Sequence, residues 1–170
     1  MGAGRAPAAA DGGGGAAGGA GAHAVQLARL LGARVTAAGA ARHAPFLRRP
    51  GADRFVDLAE PFARTAAGVD VVLDIVGGDV QDRAYGVLRP GGRLVALASP
   101  PDRARAHEHG VSAEAFTVRP DAAALEQIAA LVDDGRLRPI VAETLPLTLG
   151  RRAYQAGRRR RPGKTVLTVR

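Results

Sequence analysis

Short β-branched runs alternate with helical patterns between Gly32 and Gly135, and this alternation constrains the fold more than any other feature. The clearest strand is the run VDVVLDIVGG at 69–78, which is apolar except for Asp70 and Asp74 and the two closing glycines. A strand that is apolar on both faces is typical of a parallel sheet with helices on each side. The order of strands and helices therefore predicts an α/β fold built on a doubly wound parallel sheet.

Turn and capping residues delimit the predicted elements. Gly32 and the pair Pro50-Gly51 end two helices, and Asp79 and Asp121 are candidate N-caps of two more. A polar loop rich in Arg and His is expected at 100–112. The predicted strands are 33–39, 53–58, 69–78, 93–99 and 113–119, and the predicted helices are 24–32, 44–51, 79–92 and 121–135.

The basic residues are concentrated at the C-terminal end. From Arg136 to Arg170 ten Lys and Arg accompany one acid, while residues 1–135 hold fourteen basic and fifteen acidic side chains. The alternation also breaks after Arg138, where a basic helical stretch and a closing strand follow. A basic tail can contact nucleic-acid phosphates, but Tyr154 is its only aromatic residue and it matches no binding module. We expect a boundary near Arg138 and no specific nucleic-acid partner.

The chain has no cysteine, so disulfides, thiolate metal sites and thiol chemistry are excluded. Its four histidines, at positions 23, 43, 107 and 109, show no convincing metal-ligand spacing. No apolar run approaches the ~20 residues that span a bilayer, and the N-terminus lacks the apolar core of a signal peptide. These features predict a cytoplasmic protein with no metal site and no membrane association.

A glycine-rich stretch, DGGGGAAGGAGAHAVQLARLL at 11–31, precedes this pattern. Two registers give the glycine spacing of a turn whose helix N-terminus binds a pyrophosphate, namely Gly19-x-Gly21-x-x-Ala24 and Gly15-x-x-Gly18-x-x-Gly21. Both registers start the helix at Gly21. The preceding segment APAAAD has no β-branched residue and contains a proline, so the first strand is predicted to be weak. This motif alone leaves a phosphate loop and a low-complexity turn open, and the order of elements downstream favours the loop.

The residues after the second predicted strand bear on the choice of nucleotide. An acid about 20 residues beyond the glycines binds the adenosine ribose of NAD, whereas a basic residue accommodates the 2′-phosphate of NADP. No acid occurs between Asp11 and Asp53, and Arg42 stands near the expected position. The pattern favours NADP(H), with a solvated surface arginine as the alternative reading of Arg42.

Six collinear motifs carry a resemblance to a known family. In order they are GGAGAHAVQLARLLGARV, GAD at 51–53, VDVVLDIVGG, VLRPGGRLVALASP, LVDDGRLRPIVAETLPL and GKTVLTV. From Gly15 to the C-terminus the chain resembles the quinone oxidoreductase-like, zinc-free branch of the medium-chain dehydrogenase/reductase superfamily.

The resemblance implies a Rossmann-like sheet and a division of the chain. Residues 1–14 would be a low-complexity leader, 15–138 a dinucleotide-binding domain, and 139–170 the C-terminal segment of a catalytic domain. The N-terminal GroES-like catalytic domain of the family would be missing, so the chain resembles a truncated enzyme.

The resemblance also implies site residues. The backbone of Gly18, Gly19, Ala20 and Gly21 would lie against the pyrophosphate, and Arg42 would meet the 2′-phosphate. The adenosine and nicotinamide ends would be lined by Val76, Gly77, Ala98, Ser99, Phe116 and Val118. The alternative reading makes the glycines and Ser99 turn residues and Phe116 a core residue. No catalytic residue is assigned, because Tyr85 and Tyr154 lie in helical patterns where packing is their expected role.

The family's chemistry is hydride transfer from NADPH to a small quinone or enone-like substrate. The family also often dimerises through the sheet edge near 113–119. Two other functions stay open at this stage. One is a non-catalytic nucleotide-binding module; the other is an S-adenosylmethionine-dependent methyltransferase, which the missing acid after the second strand disfavours.

Overall fold

A computed structural model describes residues 5–9, 18–61, 66–157 and 162–169, with only the backbone described at 5–9 and 156–157. The described residues contain a six-stranded sheet with the order β3-β2-β1-β4-β5-β6, in which every pair of neighbours is parallel. Its strands are β1 (Arg5–Ala9), β2 (Arg34–Gly39), β3 (Arg54–Asp57), β4 (Val69–Asp74), β5 (Leu88–Ala96) and β6 (Ser112–Ala115). The helices are α1 (Gly19–Leu30), α2 (Ala44–Arg48), α3 (Gly78–Ala84), α4 (Arg103–Glu108), α5 (Ala122–Asp133) and α6 (Gly150–Gly157).

The strand order confirms the predicted doubly wound parallel sheet. The chain first adds β2 and β3 on one side of β1, and then adds β4, β5 and β6 on the other side. The two apolar clusters fit this arrangement. Val35 and Ala37 of β2 pack with Val25 of α1, whereas Ala38 belongs to a larger cluster that includes Tyr85. Successive residues of a strand point to opposite faces. The two clusters therefore lie on opposite faces of the sheet.

The N-terminal segment differs from the sequence expectation. Composition places residues 1–14 in a leader with a weak first strand, yet Arg5–Ala9 form β1 between β2 and β4. Pairing with β2 covers residues 5–8, and pairing with β4 covers Ala8 and Ala9, beyond Pro7. Alanine has little intrinsic strand preference, but a central position supplies hydrogen-bonding neighbours on both sides. The rest of the leader, Gly15 and the arginine run at 158–161 lie outside the described residues.

Several predicted boundaries shift. The expected polar loop at 100–112 contains α4, whose N-cap Asp102 accepts hydrogen bonds from the N–H groups of Ala104 (2.8 Å) and Arg105 (3.1 Å). Helix α3 has Gly77, not Asp79, at its N-cap and gives way to a 3₁₀ turn at 85–87. Strand β5 begins at Leu88, inside the predicted helix, and β6 ends at Ala115 instead of residue 119. The N-cap of α5 is Asp121, as predicted.

The C-terminal segment forms a second, smaller sheet. Strands β7 (Val141–Pro146) and β8 (Lys164–Thr168) pair in parallel, with α6 lying between them in the chain. Two reciprocal hydrogen bonds tie the start of this segment to α1: Gln26 Nε2 donates to the Arg138 carbonyl oxygen (3.1 Å), and the Arg138 N–H donates to Gln26 Oε1 (2.9 Å). Leu137 is buried beside them. None of the helices in the described residues is both long enough and apolar enough to cross a membrane.

Candidate functional site

The carboxyl edge of the six-stranded sheet gathers most of the predicted site residues. All six strands are parallel, so the segments that follow them leave from the same edge. The strand order reverses between β1 and β4, and open α/β sheets bind ligands in the crevice at such a switch point. The sequence-predicted residues follow β1, β2, β4, β5 and β6, and this topology brings those segments to one side of the fold.

The N-terminus of α1 borders this crevice. The helix begins at Gly19, two residues before the expected start at Gly21, and its N-cap Gly18 is extended and has no side chain to cap the helix. Gly21 is buried, Ala20 is exposed, and the first turn holds no acid. The first N–H groups of a helix lack intrahelical partners and carry a partial positive charge. Among the described residues no side chain caps this end of α1, and its partial positive charge favours an anion.

Lys164 also belongs to this corner, although sequence reasoning did not identify it. A Cβ built on Gly19 would lie 2.7 Å from Lys164 Cε and 3.1 Å from its Nζ, so the lysine of β8 lies directly against the first residue of α1. A cation beside the positive end of a helix is electrostatically unfavourable unless an anion joins them. The available sequence signal is that Lys164 is the only lysine in a chain rich in arginine.

The turn between β4 and α3 is organised by Asp74, the last residue of β4. Asp74 is fully buried (0% exposed). Its Oδ1 accepts hydrogen bonds from the N–H groups of Val76 and Gly77, both at 3.0 Å, and its Oδ2 accepts one from Gln81 Nε2 at 2.7 Å. The same Gln81 nitrogen donates to the Ser99 carbonyl oxygen at 3.2 Å. Asp74 and Gln81 therefore join the β4–α3 turn to the segment after β5.

Gly77, Ala98 and Ser99 lie together. Gly77 has φ +77°, and a Cβ built on it would lie 2.7 Å from Ser99 Oγ and 3.4 Å from the Ala98 Cβ. Ala98 and Ser99 follow β5, which ends at Ala96. No side chain fits at position 77 without displacing Ser99, so the two turns approach each other closely only because residue 77 is glycine.

The three other predicted site residues, Arg42, Phe116 and Val118, are exposed at the surface. Arg42 is exposed in a 3₁₀ turn at 41–43, after β2. Phe116 and Val118 lie beyond the end of β6 and are 55% and 76% exposed, so the core role considered for Phe116 is wrong. The Phe116 N–H donates to the Ala96 carbonyl oxygen (2.8 Å), which keeps this segment beside β5.

The histidines and acidic residues of the described part of the chain form no metal centre. No group of three or more His, Asp or Glu there could hold a metal ion.

Tyr85 is fully buried, and its hydroxyl donates to the Asp102 carbonyl oxygen at 3.1 Å. Burial raises the pKa of the Tyr85 hydroxyl above its usual value of 10.0, against a smaller lowering by that hydrogen bond. Tyr85 is a packing residue, as predicted.

Comparison with known proteins connects this geometry to a family. The sequence profile of a family described as zinc-binding dehydrogenase matches residues 50–167. The spectinabilin polyketide synthase system protein NorB of Streptomyces orinoci is 38% identical over 168 residues, which cover 89% of this chain and 8% of that protein. The mitochondrial NAD(P)H oxidoreductase RTN4IP1 of Danio rerio is 28% identical over 183 residues, which cover 89% of this chain and 46% of that protein.

A solved structure gives the same result for the fold. The quinone oxidoreductase from Coxiella burnetii superposes with a TM-score of 0.82 at 25% identity, over 98% of this chain and 53% of that one. The chain thus spans about half the length of these two oxidoreductases and a small part of the polyketide synthase protein. Although the family is named for zinc, the chain has no cysteine and its described residues do not fit a zinc site. The chain belongs to the zinc-binding dehydrogenase family of the medium-chain dehydrogenase/reductase superfamily, and it has that superfamily's cofactor-binding fold.

Proposed function

We propose that the chain binds NADP(H) in the crevice at the carboxyl edge of the sheet, as the cofactor-binding part of an oxidoreductase. The observation that carries the proposal is that Lys164 lies against Gly19 at the N-terminus of α1, an end that no side chain of the described residues caps. A dinucleotide pyrophosphate is the anion that such a turn accommodates in this type of sheet. The relatives that support the redox class are named as oxidoreductases.

The residues present fit the charged groups and both ends of this cofactor. The backbone of Gly18, Gly19, Ala20 and Gly21 would hold the pyrophosphate, and Lys164 would neutralise part of its charge. The exposed Arg42 would pair with the 2′-phosphate, and no acid follows β2 before Asp53 to bind the ribose hydroxyls of NAD instead. The nicotinamide and adenosine ends would be lined by Val76, Gly77, Ala98, Ser99, Phe116 and Val118.

A bound nicotinamide supplies hydride chemistry, and the chain's residues hold and orient it. The proposed substrate is a small quinone or enone-like molecule, and the proposed reaction uses no zinc. In this proposal residues 15–138 form the dinucleotide-binding domain, and 139–170 contribute to a catalytic domain. Dimerisation through the sheet edge near 113–119 is part of the same proposal, supported by the exposed position of Phe116 and Val118.

Ligand titration tests the cofactor. Thermal unfolding is followed with NADPH, NADH and S-adenosylmethionine, and we expect stabilisation by NADPH above all. The Arg42→Ala variant is compared with Arg48→Ala, another exposed arginine, on α2. Arg42→Ala is expected to weaken NADPH binding about tenfold without changing NADH binding, because only NADPH carries the 2′-phosphate. Stabilisation by neither nicotinamide nucleotide would refute the proposal.

A non-catalytic nucleotide-binding module is the second candidate. The observation behind it is that every α5 side chain from Ala122 to Ala130, including Leu125 and Ile128, is exposed, which leaves an apolar face of the kind that a binding module presents to a partner. Oxidation of NADPH in the presence of a simple quinone separates the two candidates. Turnover supports the oxidoreductase, and tight NADPH binding without turnover supports the module.

A further inference from the structure

Asp74 is a buried carboxylate that the proposed function does not yet use. It accepts three hydrogen bonds, from Val76 N–H, Gly77 N–H and Gln81 Nε2, and the described part of the chain provides no ion pair to it. Burying a charge is costly unless hydrogen bonds compensate it. These three donors therefore hold the carboxylate, and the carboxylate in turn holds the turn after β4.

Gln81 extends this network to the next strand. Its amide nitrogen donates to Asp74 Oδ2 at 2.7 Å and to the Ser99 carbonyl oxygen at 3.2 Å, so both amide hydrogens have acceptors. A flipped amide would place Oε1 against the oxygens of Asp74 and Ser99. The orientation of Gln81 is therefore determined by its partners, and it ties residue 99 to the β4–α3 turn.

The hydrogen bonds to Asp74 also determine where the backbone carbonyls point. A trans peptide places each carbonyl opposite the N–H of the next residue, and the described backbone contains no cis peptide. Because the N–H groups of Val76 and Gly77 point to Asp74 Oδ1, the carbonyls of Ile75 and Val76 point away from the buried carboxylate. The turn thus presents two hydrogen-bond acceptors on its outer side, at the switch-point edge.

We propose that Asp74 and Gln81 are positioning residues for the nicotinamide half of the cofactor, an inference that rests on the proposed function. They keep the carbonyls of Ile75 and Val76 and the nearby Gly77 and Ser99 in one arrangement, which suits the donor groups of a nicotinamide riboside. The 2′-phosphate of the adenosine half is assigned to Arg42, which follows β2 on the other side of the switch point. Replacing either residue should therefore weaken binding of the nicotinamide half more than binding of the adenosine half.

The first measurement compares ligands that contain different halves. Dissociation constants for NADPH and for 2′,5′-ADP are determined with the full chain and with Asp74→Asn and Gln81→Met. In Asp74→Asn the new amide would face the Gln81 amide, donor against donor, and Gln81→Met removes the link to Ser99. We expect NADPH binding to weaken about tenfold and 2′,5′-ADP binding to change by less than about twofold.

Gln26→Met is the matched control. Gln26 also joins a helix to a distant segment, Arg138, but it lies seven residues beyond Gly19 along α1 and has no bond to the β4–α3 turn. This variant is expected to bind both ligands as the wild type does. Equal weakening of NADPH and 2′,5′-ADP in Asp74→Asn would mean a merely structural role and would overturn the inference.

Amide hydrogen exchange provides a readout without any ligand. In the wild type the N–H groups of Val76 and Gly77 should exchange slowly because Asp74 accepts from them, and Gln81→Met should speed their exchange while Gln26→Met does not. Unchanged exchange at these two amides would overturn the inference. If the wild type shows this protection but binds neither NADPH nor 2′,5′-ADP, the proposed function fails and the assignment to nicotinamide fails with it.

Discussion

Lys164 of β8 lies against Gly19, the first residue of α1, although 145 positions separate them in the chain. The amine and the helix N-terminus carry charge of the same sign, so this contact is electrostatically unfavourable in the absence of an anion. The C-terminal segment therefore contributes the cation that the glycine turn itself lacks. This relationship leads to a prediction in which protein stability and ligand binding respond in opposite directions.

Replacing Lys164 with Gln is expected to leave the free energy of unfolding of the cofactor-free chain unchanged or to raise it by up to about 0.5 kcal/mol, because the repulsion is removed. The same change is expected to weaken NADPH binding about fivefold, because a charge-assisted contact to the pyrophosphate is lost. Urea unfolding and NADPH titration measure the two effects. Arg152→Gln, which removes an exposed pair with Glu143 at 3.6 Å, is the control and should not affect NADPH binding. An equal loss of affinity in both variants would contradict the prediction.

Gly77 and Gly68 allow the stability cost of backbone strain to be measured separately from the cost of crowding. Gly77 and Gly68 have φ of +77° and +80°, but a Cβ on Gly77 would meet Ser99 Oγ at 2.7 Å, whereas nothing lies within 4 Å of a Cβ on Gly68. Gly68→Ala is expected to cost about 1 kcal/mol of unfolding free energy, from φ alone. Gly77→Ala should cost about 1–3 kcal/mol more, because Ser99 must move. Adding Ser99→Ala should recover part of that excess, and equal costs for the two glycine variants would refute the crowding argument.

Tyr85 predicts a stability change at alkaline pH. Because its pKa in the folded chain is raised above 10.0 by burial, the neutral hydroxyl stabilises the fold below pH 10.0, and this contribution is lost as the pH rises through the raised pKa. Tyr85→Phe is expected to cost about 1 kcal/mol at neutral pH, because the Asp102 carbonyl loses its donor.

The variant should then lack that part of the alkaline decline in stability. Urea unfolding at neutral pH and above pH 10.0 measures the difference. Tyr154→Phe is the control, since Tyr154 is 82% exposed. A decline of the same size in Tyr85→Phe and in the wild type would show that Tyr85 is not its source.

Asp53 and Arg29 form an ion pair in which the two residues contribute unequally. Arg29 Nη1 lies 3.0 Å from both carboxylate oxygens of Asp53, and Asp53 Oδ2 also accepts from the Val35 N–H at 2.7 Å. Arg29→Ala should cost less than about 1 kcal/mol, because exposed ion pairs contribute little and the second bond of Arg29 Nη1, to the Ala33 carbonyl oxygen at 3.3 Å, is also exposed. Asp53→Ala should cost about 1–2 kcal/mol, because the Val35 N–H also loses its acceptor.

A double-mutant cycle tests this asymmetry. Relative to Asp53→Ala, the double variant should lose only the small contribution of the Arg29 bond to the Ala33 carbonyl oxygen, since the pair no longer exists once the carboxylate is removed. Urea unfolding of the three variants provides the measurement. Equal costs for the two single changes would contradict the larger contribution assigned to Asp53.

The N-cap predicted for α5 is confirmed, because a cap depends only on residues that are close in the sequence. Asp121 caps this helix through a side-chain oxygen that accepts from the Ala124 N–H at 3.0 Å, and Gly135 follows its end with φ +69°. The same kind of signal was present for α4, where Asp102 precedes a run of helix-forming residues and Gly110 follows with φ +63°. The high content of Arg and His at 100–112 predicts a polar loop, although arginine favours helix.

By itself the sequence determined the alternation of strands and helices and the parallel sheet. These follow from periodicity and capping, which act within a few residues of the chain. Only the tertiary structure decided that Arg5–Ala9 form a central strand, that Lys164 reaches Gly19, and that Asp74 is buried against Gln81 beside Ser99. The physical reason is that each of these depends on partners supplied by other elements, and local propensity carries no information about which distant residues the packed sheet brings together.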